Sequence, residues 1–119
     1  MKVSKYFDYD EVACRCCGNV PDNGISPRLL ELLDSIREAL GKPMYISCAY
    51  RCPAHNAEVG GVSNSQHVLG TAADIQMPEG YNAVTLGALA TKCGAEGIGL
   101  YPWGVHVDMR GYDATWDER

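Results

Sequence analysis

From Ser26 to Gly41 apolar and polar residues alternate with the period of a helix, with Leu29, Leu30, Leu33, Ile36 and Leu40 on one stripe. Ser26 can cap the first turn, Pro27 suits the first helical position, and Gly41 ends the run. A second helical pattern spans Tyr81 to Cys93, with Val84, Leu86, Leu89 and Ala90 apolar and Gly94 as the stop. Elsewhere the pattern shortens. Met44 to Tyr50 and Ala72 to Met77 read as strands, and Gly97 to Tyr101 and Val105 to Arg110 as a hairpin closed by Pro102, Trp103 and Gly104. A helical turn is expected at Asp8 to Ala13 and a short helix from Pro53 to Val59, followed by a flexible lead-in at Gly60 to Asn64. Helices interspersed with short strands predict an α+β fold, a small and mainly antiparallel sheet with helices packed on it.

A length of 119 residues fits one domain, divided here into an N-terminal arm (1–23), a core (24–110) and a polar tail (111–119). The net charge of −5 is spread along the chain, which argues against a nucleic-acid partner held through phosphates. No apolar run approaches the length of a membrane span, and the two lysines near the N-terminus have no apolar stretch behind them, so it does not read as a secretory signal. The expectation is a monomer made in the cytoplasm, with no membrane partner.

Six cysteines are many for this length. Cys14, Cys16 and Cys17 cluster, while Cys48, Cys52 and Cys93 are scattered. Without a signal peptide, reduced and buried thiols are favoured over disulfides. A structural zinc at the cluster needs a fourth ligand that the sequence does not identify, and adjacent Cys16 and Cys17 are awkward around one tetrahedral ion.

The candidate chemistry lies in two stretches. Ser65-Gln66-His67-Val68-Leu69-Gly70-Thr71-Ala72-Ala73-Asp74 places a histidine and a carboxylate a short loop apart, and His106 arrives downstream in Val105-His106-Val107-Asp108. Two imidazoles and one carboxylate make the ligand set of a catalytic zinc ion, with a fourth position left for water or substrate. Gly70 allows a sharp turn, and the small residues after it let a strand begin close under the metal, with Asp74 pointing at the ion and Ile75 into the core. Strict alternation puts Val105, Val107 and Met109 on one face and His106, Asp108 and Arg110 on the other, which aims His106 and Asp108 into the same cavity. A non-haem iron triad built on His106 and Asp108 would need another histidine downstream, and none follows.

Ser65-x-His67-x-x-Gly70-x-Ala72-x-Asp74 followed by the Val-His-Val-Asp strand resembles the zinc D-alanyl-D-alanine carboxypeptidases, a family that includes phage endolysin peptidases and shares its fold with the hedgehog signalling domain. Tyr50-Arg51-Cys52-Pro53-x-His55-Asn56 and Gly97-Ile98-Gly99-x-Tyr101-Pro102 extend the likeness from the first long helix to Arg110. The resemblance implies one catalytic zinc held by His67, Asp74 and His106, and peptide-bond hydrolysis in peptidoglycan stem peptides, by a carboxypeptidase or an endopeptidase cutting between L- and D-residues. Without a signal peptide, that activity suits a phage-like protein released to the cell wall. Arg51 is the expected holder of substrate or oxyanion, and Ser65, Gln66, Tyr101 and Trp103 the expected cleft residues. Several branches of the family carry a general-base glutamate three residues before the last histidine. Trp103 stands there in this chain, so Asp108 is the expected base, with Glu96 as the second candidate. The missing glutamate also leaves open a zinc-containing binding module without catalysis, as in the hedgehog relatives.

Overall fold

The computed structural model describes residues 1–119. Glu11 reaches back to accept the Asp8 amide and starts the first helical turn, α1 (Tyr9–Val12). The next helix, α2 (Pro27–Leu40), begins where Ser26 Oγ accepts the Leu29 amide and ends at Gly41, whose left-handed backbone a side chain would disfavour. Its Leu29, Leu33 and Ile36 are completely buried, and each contributes about 1.5–3 kcal/mol relative to exposure.

The strand expected from Met44 to Tyr50 narrows to β1 (Ile46–Cys48), because the backbone beyond it bonds elsewhere. The Tyr50 amide donates to Val12 O of α1 and the Arg51 amide to His67 O. Helix α3 (Pro53–Glu58) follows, and then a single turn, α4 (Gln66–Leu69), stands where a loop was expected. The remaining elements are β2 (Ala72–Gln76), α5 (Ala83–Lys92), β3 (Gly97–Tyr101), β4 (Gly104–Asp108) and β5 (Ala114–Asp117).

These five strands form one sheet in the order β1-β2-β4-β3-β5, antiparallel except for the β3–β5 pair. The fold is therefore α+β with a mainly antiparallel sheet, as the pattern predicts. The segment read as a polar tail contains β5, which adds to the free edge of β3 and carries Trp116 opposite Gly99. No helix is long and apolar enough to cross a membrane.

Alternation divides the sheet chemically. Ile75, Ile98, Val105 and Val107 share one face and pack with α2 and α5 around Leu33, Ile36, Leu86 and Ala90. The opposite face carries Asp74, Gly97, Gly99, Tyr101, His106, Asp108 and Trp116. Hydrophobic burial thus fixes which residues face the other way.

Candidate metal centre

His67, Asp74 and His106 come together from three elements. Ser65 caps α4, accepting the His67 amide, and so sets the direction in which that one-turn helix presents its imidazole. Asp74 and His106 are direct partners in the β2–β4 register, so their side chains leave the same face side by side. His67 Nε2 lies 3.3 Å and His106 Nδ1 3.2 Å from the same Asp74 oxygen, Oδ1. The two imidazoles meet edge to face with centroids 5.1 Å apart.

The outer nitrogens decide what this cluster wants. His67 Nδ1 is 2.6 Å from Ala49 O, an atom that only accepts, so Nδ1 carries the proton. His106 Nε2 is 2.6 Å from Asp108 Oδ2, and Asp108 is an ionised acceptor gripped by the Arg110 guanidinium through Nε (2.8 Å) and Nη2 (2.6 Å). With both outer N–H groups committed, the neutral rings turn two lone pairs on an Asp74 oxygen. Three acceptors this close need a cation between them. The two separations that share Asp74 Oδ1, 3.2 and 3.3 Å, match the edge of a tetrahedron with metal–ligand bonds of about 2.0–2.1 Å, which is about 3.3–3.4 Å. The donor set fits a zinc ion with an open fourth position.

Without a metal, protons fill that role. Burial opposes charge on His67, but hydrogen bonds from Asp74 and Cys48 outweigh it and raise its pKa from 6.5 to about 10. Burial likewise opposes charge on Asp74, and its hydrogen bonds to His106 and His67 prevail, holding the carboxyl at about 2. Cys48 Sγ also approaches His67 and Asp74 within 4.8 Å. It meets His67 at Nδ1 (3.8 Å), the nitrogen already bonded to Ala49, whereas His106 Nδ1 approaches the same Asp74 oxygen that His67 Nε2 faces.

A cleft of about 480 Å³ opens onto these donors, and its walls include Arg51, Ser65, Gln66, Tyr101 and Trp103 together with His67, Asp74 and His106. Arg51 has no carboxylate within ion-pair distance; its Nη2 donates to Ser65 Oγ at 3.4 Å and its buried Nε has no partner. Tyr101 and Trp103 stack at 4.8 Å. Asn64, Arg110, Tyr112 and Trp116 also line the cleft and were not singled out from the sequence. The Trp116 indole N–H donates to Tyr101 Oη, and its ring lies 5.2 Å from His106. A Cβ at Gly99 would collide with that indole, so the alternation of glycine with apolar residues in β3 was the available signal.

Neither expected base candidate reaches the cleft. Asp108 shares the His106 face, as alternation requires, but its side chain is completely buried behind the imidazole, in space left by Gly97. Burial would raise its pKa, yet the hydrogen bonds from Arg110 and His106 hold it at about 2. Glu96 lies outside the cleft lining, bound to Arg28 Nη2 and the Gly111 amide, each at 2.8 Å.

A family model described as peptidase M15 matches residues 5–109. The chain belongs to the peptidase M15 family. That family comprises zinc-dependent peptidases of the D-Ala-D-Ala carboxypeptidase type, and the match spans all three inward-facing donors and Arg51. It ends before β5, so the Trp116 wall lies outside the matched stretch. No curated protein matches the chain.

Proposed function

We propose that the protein is a zinc peptidase that hydrolyses peptide bonds in the stem peptides of bacterial peptidoglycan, either at a terminal D-Ala-D-Ala or between an L- and a D-residue. The observation that carries this reading is the convergence of two imidazole lone pairs and one carboxylate at the floor of an open cleft beside an unpaired arginine.

His67 Nε2, Asp74 Oδ1 and His106 Nδ1 would hold the ion. Zinc bound there would polarise the scissile carbonyl and bring the pKa of water towards neutrality. Ala49 O and Asp108 lock the histidine tautomers, so the donor nitrogens need no reorganisation. Asp108 is in this reading a positioning residue that acts through His106. Arg51, with no competing carboxylate, receives the substrate carboxylate or the oxyanion that develops on the attacked carbonyl. Asp74 is the sole carboxylate on the cleft wall and is committed to the ion, so the wall offers no separate carboxylate as proton acceptor. Ser65, Gln66, Tyr101 and Trp103 shape the substrate's path together with Arg110, Tyr112 and Trp116.

Mass spectrometry of defined stem peptides, with and without a terminal D-Ala-D-Ala, tests the reading. Zinc-dependent loss of one alanine identifies a carboxypeptidase, and two larger fragments identify an endopeptidase. A cleft that holds zinc yet gives neither product would favour a binding module of the same fold. The observation that favours that second reading is Trp103, standing where several relatives have their glutamate.

A further inference from the structure

The cysteine cluster in the N-terminal arm acquires a fourth member from the core. The Sγ atoms of Cys14, Cys16, Cys17 and Cys52 all lie within 4.8 Å of one another, and Cys16 and Cys52 are 3.9 Å apart. We infer that these four cysteines form a second, structural zinc site, separate from the cleft and independent of whether the cleft is catalytic. In a zinc tetrathiolate with Zn–S bonds of about 2.3 Å, neighbouring sulfurs are about 3.8 Å apart, so the cluster needs to contract by at most about an ångström.

Backbone amides point at two of the four sulfurs, those of Cys14 and Cys52. Cys14, Cys17 and Gly18 form the Cys-x-x-Cys-Gly spacing of a metal-binding turn. The turn is closed by the Gly18 amide on Cys14 O (2.8 Å), with Gly18 in the left-handed conformation, and braced by the Cys14 amide on Asn19 O (2.8 Å). Cys14 Sγ accepts the amide hydrogen of Cys52 (3.4 Å). Cys52 Sγ accepts the His55 amide at the start of α3 (3.4 Å). Such amide-to-sulfur bonds stabilise thiolates, the form in which cysteine binds zinc. The adjacency of Cys16 and Cys17, awkward in the linear sequence, is resolved by the turn, which brings both sulfurs to one centre. All four sulfurs are protein-supplied, leaving no position for water, so the site is closed and structural.

Its position gives it work. Cys52 directly follows Arg51, and Ala49 O, three residues before Cys52, is the acceptor that fixes His67. A zinc ion joining Cys52 to the arm would fix the same short stretch that serves the cleft. Metal binding releases the thiol protons to solvent and changes no oxidation state.

The test is metal content and cobalt spectroscopy on the full chain, purified under reducing conditions. Wild type should hold two zinc ions per chain. The His67→Ala/His106→Ala double variant, with every cysteine intact, should hold one. Loaded with cobalt(II), that variant should give thiolate-to-cobalt charge-transfer bands and strong tetrahedral d–d bands. Cys14→Ser/Cys17→Ser should lose those bands and melt at lower temperature. One zinc in wild type, absent from the histidine variant and accompanied by no cobalt–thiolate bands, would overturn the proposal. So would a thiol count, in denaturant and without reductant, of two rather than six, because the cluster would then be two disulfides. Either failure leaves the cleft reading standing, since that depends on the histidines and on peptide products.

Discussion

The two clusters of candidate metal ligands in this protein are assembled in opposite ways. In the cleft, the donors come from α4, β2 and β4, and sheet register brings them together, with Asp74 opposite His106. In the arm, three of the four cysteines come from one tight turn, and only Cys52 comes from a distance. The cleft histidines are held from behind by a carbonyl and a carboxylate, whereas in the arm cluster the Cys14 and Cys52 sulfurs accept backbone amides. The cleft offers three protein donors and an opening; the arm offers four and none. An open position is what chemistry requires and a closed one is what stability requires, so on the proposed readings one cluster would serve reaction and the other fastening.

The comparison breaks most sharply at His67. His67→Ala should reduce peptide hydrolysis to background and remove the cleft ion while the arm keeps its own, as metal analysis beside a turnover assay would read. Loss of both ions would show that the two sites are not separate. Arg51→Ala should keep both ions and lower kcat by about 10²–10³-fold, the size of effect seen when one oxyanion donor is removed. If KM alone rises, Arg51 binds substrate and does not stabilise the transition state. Asp108→Asn should weaken cleft zinc by about 10–100-fold, measured by competition with a chromophoric chelator, because the His106 tautomer loses its charged acceptor. Retained affinity with collapsed turnover would return Asp108 to the role of base.

Trp103→Glu is expected to act in the other direction, raising turnover by about tenfold by adding a carboxylate to a cleft that has only Asp74. An unchanged rate with zinc intact would mean that proton transfer is not limiting. The smallest effect is on pH. In metal-free protein His67 has its pKa raised from 6.5 to about 10, so its stabilising contribution is complete below about 6.5 and disappears as pH rises towards 10. The zinc-loaded protein has the metal in place of that proton. The gap in melting temperature between loaded and chelated protein should therefore widen from pH 6.5 to 10, and a constant gap would contradict the His67–Asp74 pairing.

Much of this was legible before any fold was known. Ser26, Pro27 and Gly41 marked α2 because capping and proline chemistry are local. His67, Asp74 and His106 stood out through residue type and order. Depth was not legible. Alternation places Asp108 on the His106 face but says nothing of how far it sinks, which depends on Gly97 across the β3–β4 pair. Strand β5 was missed because Ala-Thr-Trp-Asp is short and half polar, and only the free edge of β3 gives it a partner. Cys52 could not be recognised as the fourth sulfur because its nearness to Cys14 arises from how α1 and β1 pack.

The indole of Trp116 sits on Gly99, against His106, yet belongs to an edge strand beyond the stretch that matches the family. Part of the cleft's shape is therefore written apart from the donor atoms. Mutation in β5 can narrow, widen or re-tilt one side of the cleft while every donor atom stays where it is. The edge strand is thus a place where selection, or a designer, could retune which substrate fits without rebuilding the reaction centre.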